Sequence, residues 1–265
     1  MSNSIRIRAS SLPSLLDCSM RWEAENIRGI RKHGNGFTQI GTAVHGSTAA
    51  FDQAKLDGSP ITIDDASEVG VAIIEEPEEE VAWAGMARDT AIEATLRATV
   101  NYCADIAPHQ NYSVVEHTLD GVEIDMGDGI IFSLTGTLDR IRQDEFGNKG
   151  VDDIKTGQRI IDSHGEVSVS KHLPQLGEYE LLAEREFGPM TLPARIIGLQ
   201  SAGDFQTGIA EITNARDALV GNEFNPGLLT FAASMFKTGM FPPNPSSILC
   251  SNTYCPIYNQ CQYHG

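Results

Sequence analysis

The 265-residue chain carries 36 acidic and 19 basic residues, for a formal net charge of −17. No apolar run approaches the ~20 residues that a membrane-spanning helix needs, and the first residues lack the apolar core of a signal peptide. Five unevenly placed cysteines are unlike a secreted disulfide framework. These features favour a cytoplasmic protein over a membrane or secreted one, and the length allows one large domain or two small ones.

Net acidity also argues against nucleic-acid binding, because proteins of that class usually carry a basic excess. The charge is unevenly distributed, however, with much of the acid lying between Asp52 and Glu80 and a locally basic segment before it. Carboxylates that gather around a metal ion also count as negative charge although the ion reverses the local field. The objection is therefore weakened but not removed.

Helices are predicted in the first part of the chain. A serine cap and Pro13 open the first, which continues through Leu15 and Leu16. A second helix is predicted from about Thr38 to Leu56, and a long third one from about Val81 to Ile106. The acidic segment from Gly58 to Glu80 is expected to be a surface excursion, partly mobile.

Strands are predicted next, followed by further helices. The predicted strands cover residues 112–119, 122–126, 130–142, 150–155, 194–201 and 206–213. Helices are predicted from Ser168 to Phe187 and from Ala215 to Thr238, the second interrupted near Pro226. The order indicates a mixed α/β fold, with a central, mostly antiparallel sheet flanked by helices.

Acidic residues and a lysine lie on two of these strands, at Asp139, Asp153 and Lys155. The residues between, 143–150, favour a turn, so the two strands form a hairpin. Side chains alternate along a strand, so Asp153 and Lys155 share a face with Ile154 buried behind them. If Asp139 faces the same way, two carboxylates meet an ammonium at one sheet edge and suit Mg²⁺ or Mn²⁺. An isolated pair of this kind is more often a solvated strand face.

Four motifs follow in a fixed order: GTAVHG with His45, LTGTLDRIR with Asp139, VDDIKTG with Asp153 and Lys155, and QLGEY. In the last motif, Gln175 and Tyr179 are four residues apart and share one helix face. Together the motifs resemble the PD-(D/E)XK nuclease superfamily and, within it, its RecB-like branch. The resemblance extends over nearly the whole chain.

This resemblance implies roles for particular residues. Asp139 and Asp153 would bind a catalytic Mg²⁺ or Mn²⁺ together with the carbonyl of Ile154. Lys155 would position the attacking water and stabilise charge on the phosphate. The remaining implied site residues are His45 as an additional metal ligand, Gln175 and Tyr179 lining the site, and Glu116 as a possible further acid. For Glu116, a simple strand-edge charge is the equal alternative.

The cysteines form a second pattern. Cys250, Cys255 and Cys261 lie near the C-terminus and Cys18 near the N-terminus, whereas Cys103 occupies an apolar helix position that favours buried packing. Such a set indicates an iron–sulfur or a zinc site with Cys18 as the fourth ligand. The set resembles the [4Fe-4S] site of AddB-like and CRISPR-associated RecB-like nucleases. Four residues separate Cys250 from Cys255, whereas that family has two at this point. Because of this departure, a zinc site or an empty site remains an alternative.

We therefore expect a single nuclease domain over residues 1–265, in which residues 1–36 and 240–265 form a cluster-bearing lobe around a 37–239 core. The expected function is metal-dependent DNA hydrolysis, as an exonuclease acting on free ends in recombination, repair or DNA processing, with a possible partner protein. A bacterial cytoplasm, or that of a virus's host, is the expected location. The alternatives are a catalytically silent DNA-binding or assembly protein on the same fold, and a nuclease that acts on RNA.

Overall fold

The computed structural model describes residues 4–264. Its strands are β1 (Ser4–Arg8), β2 (Gly34–Asn35), β3 (Val81–Ala82), β4 (Tyr112–Asp125), β5 (Ile131–Gln143), β6 (Lys149–Gly157), β7 (Ala194–Gln200) and β8 (Thr207–Ile212). Its helices are α1 (Leu12–Asp17), α2 (Ser19–Asn26), α3 (Gly36–Leu56), α4 (Ile63–Glu75), α5 (Arg88–Asn101), α6 (Leu173–Phe187), α7 (Ala215–Val220) and α8 (Leu228–Thr238).

A six-stranded mixed sheet organises the fold, in the order β1-β5-β6-β7-β8 with β4 also paired to β5. One edge of β5 is occupied by β4. The opposite edge is shared: β1 pairs in parallel over residues 131–135, and β6 pairs antiparallel over residues 140–143. Within residues 4–264, the intervening segment 136–139 therefore has no strand partner on that edge. The sheet opens there, between β1 and β6.

Helices cover both faces of the sheet, as a strand buried on two sides requires. One core lies between the sheet and helices α1, α6 and α8, and includes Leu138, Leu176 and Tyr179. The other lies beneath α3, α4 and α5, and includes Ile154 and Ile197. The predicted α/β class, with a mixed central sheet flanked by helices, is confirmed.

Several predicted elements were wrong in detail. Residues 63–75 of the acidic segment form α4, which begins at a capping box between Thr62 and Asp65. The long helix expected from Val81 begins only at Arg88, because a short strand and a turn precede it. The two strands expected over 112–126 are one strand whose register shifts at a bulge between Leu119 and Val122. Strand β1 was not predicted.

Residues 17–32 meet residues 242–252 on one side of the domain. The Met20 amide donates to the Pro242 carbonyl at 3.2 Å, and the Asn244 side chain donates to Asp17 at 3.0 Å. Lys32 also donates to the backbone of Asn252. Throughout residues 4–264, no helix has the length and apolarity required to cross a bilayer.

Candidate active site

The carboxylates of Asp139 and Asp153 lie where β5 and β6 separate. The pairing of β5 with β6 ends at Arg140 and Asp152, so the next residues, Asp139 on β5 and Asp153 on β6, lie opposite each other. In place of a backbone partner, the Ile154 amide donates to Oδ2 of Asp139 at 2.6 Å. Both acids are buried, and both belong to central strands. The expected shared face is therefore present, but it lies in the middle of the sheet rather than at its edge.

Lys155 neutralises Asp153. Its Nζ lies 2.8 Å from Oδ1 and 2.7 Å from Oδ2 of that carboxylate, and Lys155 also lines the open cleft. Burial raises the pKa of Asp153 to about 6, and the charge of Asp139 adds to that rise while Lys155 opposes it. The ammonium thus connects a buried acid with the solvent side of the site. Ile154 is fully buried behind this face, as expected.

His45 reaches the acids from α3. Its Nδ1 lies 3.4 Å from Oδ1 of Asp139 and 3.9 Å from Oε1 of Glu116. Burial alone would lower the pKa of His45, but the two carboxylates outweigh it and raise the pKa to about 10. The same imidazolium, with Lys155 and Arg140, holds the pKa of Asp139 below its usual range against the effect of burial. The carboxylates of Asp139 and Glu116 therefore strongly favour a positive charge at the position of the His45 ring.

Glu116 belongs to the same group. It falls across β4–β5 from Asp139, between the paired residues Val115–Arg140 and His117–Leu138. Its φ of 43° is in the left-handed region, which non-glycine residues rarely adopt and which often marks functional sites. One ligand atom from each of His45, Glu116 and Asp139 lies within 4.8 Å of the others. Two carboxylates and an imidazole form a donor set that fits a divalent cation.

Gln175 and Tyr179 form the buried wall behind the acids. The Gln175 amide donates to the Tyr179 hydroxyl at 3.0 Å, and both side chains are buried. The Tyr179 ring packs on Gly136, where a Cβ would meet ring atom Cε1 at 2.8 Å. Burial raises the pKa of Tyr179 well above its usual value, as do the nearby charges of Asp153 and Asp139. Tyr179 is therefore neutral and remains available for hydrogen bonding.

An open cleft of about 930 Å³ leads to these groups. His45, Glu116 and Lys155 line it together with Phe37, Gly41 and Thr42 of the exposed side of α3. Asp139 and Asp153 lie behind this lining. An extended substrate in the cleft would approach His45, Glu116 and Lys155 first.

The four cysteines expected to bind metal line one pocket, together with Arg21 and Tyr258. The residues involved are Cys18, Cys250, Cys255 and Cys261, and the Asn244 amide donates to Sγ of Cys18 at 3.4 Å. Among residues 4–264, no three of these sulfur atoms lie within 4.8 Å of one another. Cys103 lies apart, buried in the core beneath α3 to α5, which confirms its predicted packing role.

Sequence reasoning missed two charged residues beside the acids, Arg140 and Asp52. Both are buried, and Nε of Arg140 donates to Oδ2 of Asp52 at 2.7 Å. A signal was available: Arg140 and Arg142 flank Ile141 on a strand predicted to belong to the central sheet. An arginine on such a strand needs a buried partner.

Comparisons with known proteins give a family and two similar folds. The model of the PD-(D/E)XK nuclease superfamily matches residues 6–262. A solved structure from Eubacterium rectale, named "Putative exonuclease", matches with a TM-score of 0.54 and 13% identity over 98% of this chain and 89% of that one. The structure of SSO0001 matches with a TM-score of 0.47 and 14% identity over 97% of this chain and 85% of that one.

No curated protein matches at a significant level. At 13% identity, the likeness to the Eubacterium rectale structure concerns the fold alone. The family model, by contrast, spans strand β5, strand β6 and helix α6 with their acids, lysine, glutamine and tyrosine. The chain belongs to the PD-(D/E)XK nuclease superfamily.

Proposed function

We propose that this nuclease hydrolyses DNA with Mg²⁺ or Mn²⁺ and acts as an exonuclease of the RecB-like, AddB-like branch. One observation carries the proposal: the donor set of His45, Glu116 and Asp139 lies beside the Asp153–Lys155 pair. Silent binding proteins would have no need to bury two acids and keep them charged. The complete set of charged groups therefore favours catalysis over a scaffold role.

Each residue then has a definite task. His45, Glu116 and Asp139 would hold the cation, with Asp153 and the Ile154 carbonyl as further ligands. A divalent cation held there supplies a water of lowered pKa and neutralises charge on the scissile phosphate. Lys155 would orient the attacking water and stabilise the developing negative charge. Gln175 and Tyr179 would keep the wall behind Asp139 and Asp153 in place and exclude solvent.

DNA ends are the proposed substrate. The name of the Eubacterium rectale neighbour supports exonuclease action. RNA is the alternative substrate that the site itself does not exclude. The net charge of −17 means that attraction to nucleic acid must come from the site and its cation rather than from the whole surface. Recombination, repair or DNA processing in a bacterial or viral setting, with a possible partner protein, remains the proposed context.

We further propose a [4Fe-4S] cluster on Cys18, Cys250, Cys255 and Cys261. The four thiols share one pocket, which supports a common ligand. The preference for this cluster rests on the resemblance of the cysteine pattern, and zinc on the same thiolates is the alternative. The cluster would tie residues 1–36 and 240–265 into one lobe around the 37–239 core.

Digestion of end-labelled DNA tests the catalytic proposal. Linear and covalently closed circular DNA, single- and double-stranded, would be incubated with Mg²⁺ or Mn²⁺ beside matched RNA. We expect linear DNA to be degraded and closed circles to survive. Cutting of circles would replace the exonuclease assignment by an endonuclease one, and preference for RNA would replace DNA.

Two lysine variants make the test specific. Lys155→Ala should lower the cutting rate by about 10²–10³-fold while leaving the fold intact, since it removes one electrostatic donor from the reaction. Lys149→Ala is the matched control: it lies on the same strand, where its Nζ donates to the Phe187 carbonyl at 2.9 Å, outside the site. A Lys155→Ala protein that cuts at the wild-type rate would remove Lys155 from the mechanism. If the wild type binds DNA but cuts nothing, the fold serves as a scaffold.

A further inference from the structure

Arg140 is a fully buried arginine that contacts the back of the proposed cation site. Its NH1 group donates to Oε1 of Glu116 at 3.3 Å and to the main-chain carbonyl of Asp139 at 2.8 Å. On its other side, Nε donates to Oδ2 of Asp52 at 2.7 Å, and NH2 donates to the Thr48 hydroxyl at 3.3 Å. One planar group thus joins α3 to two of the three members of the donor set.

This arrangement differs from simple charge neutralisation. Asp52 already balances the guanidinium, and its Oδ2 also accepts from the Tyr102 hydroxyl at 2.5 Å. A buried ion pair of this kind seldom adds stability beyond what apolar side chains of the same volume would give. The guanidinium instead fixes the orientation of the groups that accept its hydrogen bonds, because its donors form a rigid fork. The fork fixes one oxygen of Glu116 and the backbone from which the Asp139 side chain projects.

We infer that Arg140, held by Asp52, is a positioning residue that sets Glu116 and Asp139 at the spacing a divalent cation requires. The inference rests on the proposed cation site. The contact with Arg140 falls on Glu116, the residue of β4 whose backbone is left-handed. Groups that orient metal ligands from behind typically contribute about 10–100-fold to metal affinity.

Arg142 provides a matched control. It lies two residues further along β5 on the same face, is also buried, and pairs with the buried Asp152 and the Pro193 carbonyl. Among the described residues, it makes no hydrogen bond or ion pair with the donor set or with Lys155. Arg140→Lys and Arg142→Lys therefore disturb similar ion pairs, but only the first disturbs the proposed site.

The experiment measures Mn²⁺ binding in the absence of nucleic acid, by the loss of the free-ion electron paramagnetic resonance signal. Arg140→Lys should weaken Mn²⁺ binding by about 10–100-fold, whereas Arg142→Lys should leave it unchanged. Cutting assays over a range of Mn²⁺ concentrations should show the same displacement for Arg140→Lys, with the maximal rate largely recovered at saturating cation. Asp52→Asn keeps the shape of the side chain and one hydrogen-bond acceptor, so it should also weaken Mn²⁺ binding, but by less than Arg140→Lys. It replaces Arg140→Lys as the test if that variant does not fold.

The outcomes separate this inference from the proposed function. Wild-type protein that neither binds Mn²⁺ nor cuts nucleic acid would overturn the proposed function. Wild-type protein that binds and cuts, with unchanged affinity in Arg140→Lys and Asp52→Asn, would overturn the inference alone. Equal loss of affinity in Arg140→Lys and Arg142→Lys would also overturn it, because the effect would then come from breaking any buried ion pair on β5.

Discussion

Replacing Glu116 by alanine and, separately, by glycine removes the same carboxylate but changes the backbone energy differently. At a φ of 43°, a side chain with a Cβ is strained by about 1–2 kcal/mol. Glycine relieves that strain but loses about 0.5–1 kcal/mol through its greater freedom in the unfolded chain. From the midpoints of these two ranges, we expect Glu116→Gly to be more stable than Glu116→Ala by about 0.75 kcal/mol.

The side-chain contribution cancels between the two variants. The contact between Glu116 and Arg140 involves a carboxylate that is 36% exposed, so its loss should cost only about 0–1 kcal/mol, and equally in both variants. The expected difference in melting temperature is about 1–4 °C for a chain of this size. Thermal unfolding without added metal measures it directly.

Mn²⁺ binding supplies the second half of the test. Glu116→Ala and Glu116→Gly both lose a ligand atom and should bind Mn²⁺ equally weakly. The two variants should therefore differ in melting temperature but not in Mn²⁺ affinity. An alanine variant as stable as the glycine variant would contradict the left-handed backbone at residue 116. Wild-type Mn²⁺ affinity in either variant would exclude Glu116 from the donor set.

Three further predictions concern other parts of the molecule. The pKa of His45 is raised to about 10, so its imidazole must lose a proton before it can bind a cation. We therefore expect the Mn²⁺ affinity to rise from pH 6 to pH 8.5, with proton release detected by calorimetry. An affinity that does not depend on pH would exclude His45 as a ligand. Anaerobically purified protein should contain iron and sulfide that Cys255→Ser loses and Cys103→Ala keeps; zinc in their place would select the alternative metal. Glu178 is fully buried, and burial raises its pKa far above the ordinary 4.5, although a backbone hydrogen bond from Thr135 opposes that rise. Wild-type stability should therefore fall relative to Glu178→Gln as pH rises above about 4.5, and melting curves that stay parallel across pH would contradict this.

The sequence was informative where its signals were local. The hairpin with Asp139, Asp153 and Lys155 could be predicted because alternation and turn residues act within about twenty residues of chain. Strand β1 could not, since its pairing with Ile131 and its neighbours joins segments more than a hundred residues apart. Five residues without a turn signal carry no indication of such a partner.

The candidate site followed the same division. Residue types and their order indicated the acids, Lys155 and His45, but these assignments of role stay predictions. The contribution of Arg140 was invisible because its partners Asp52 and Glu116 belong to two other elements, α3 and β4. The acidity of residues 63–75 predicts a partly mobile surface excursion, whereas the capping box at Thr62 and Asp65, also present in the sequence, begins helix α4.

The shared edge of β5 affects the order in which the sheet can be completed during folding. Strand β5 must recruit β1 from the start of the chain, and β6 gains its other neighbour only when β7, at residues 194–200, has been made. Contacts between such distant segments form late and slowly. The strand neighbours of Asp139 and Asp153 are therefore complete only when residues through Gln200 have been made. We expect a nascent chain to gain any cutting activity only after that point.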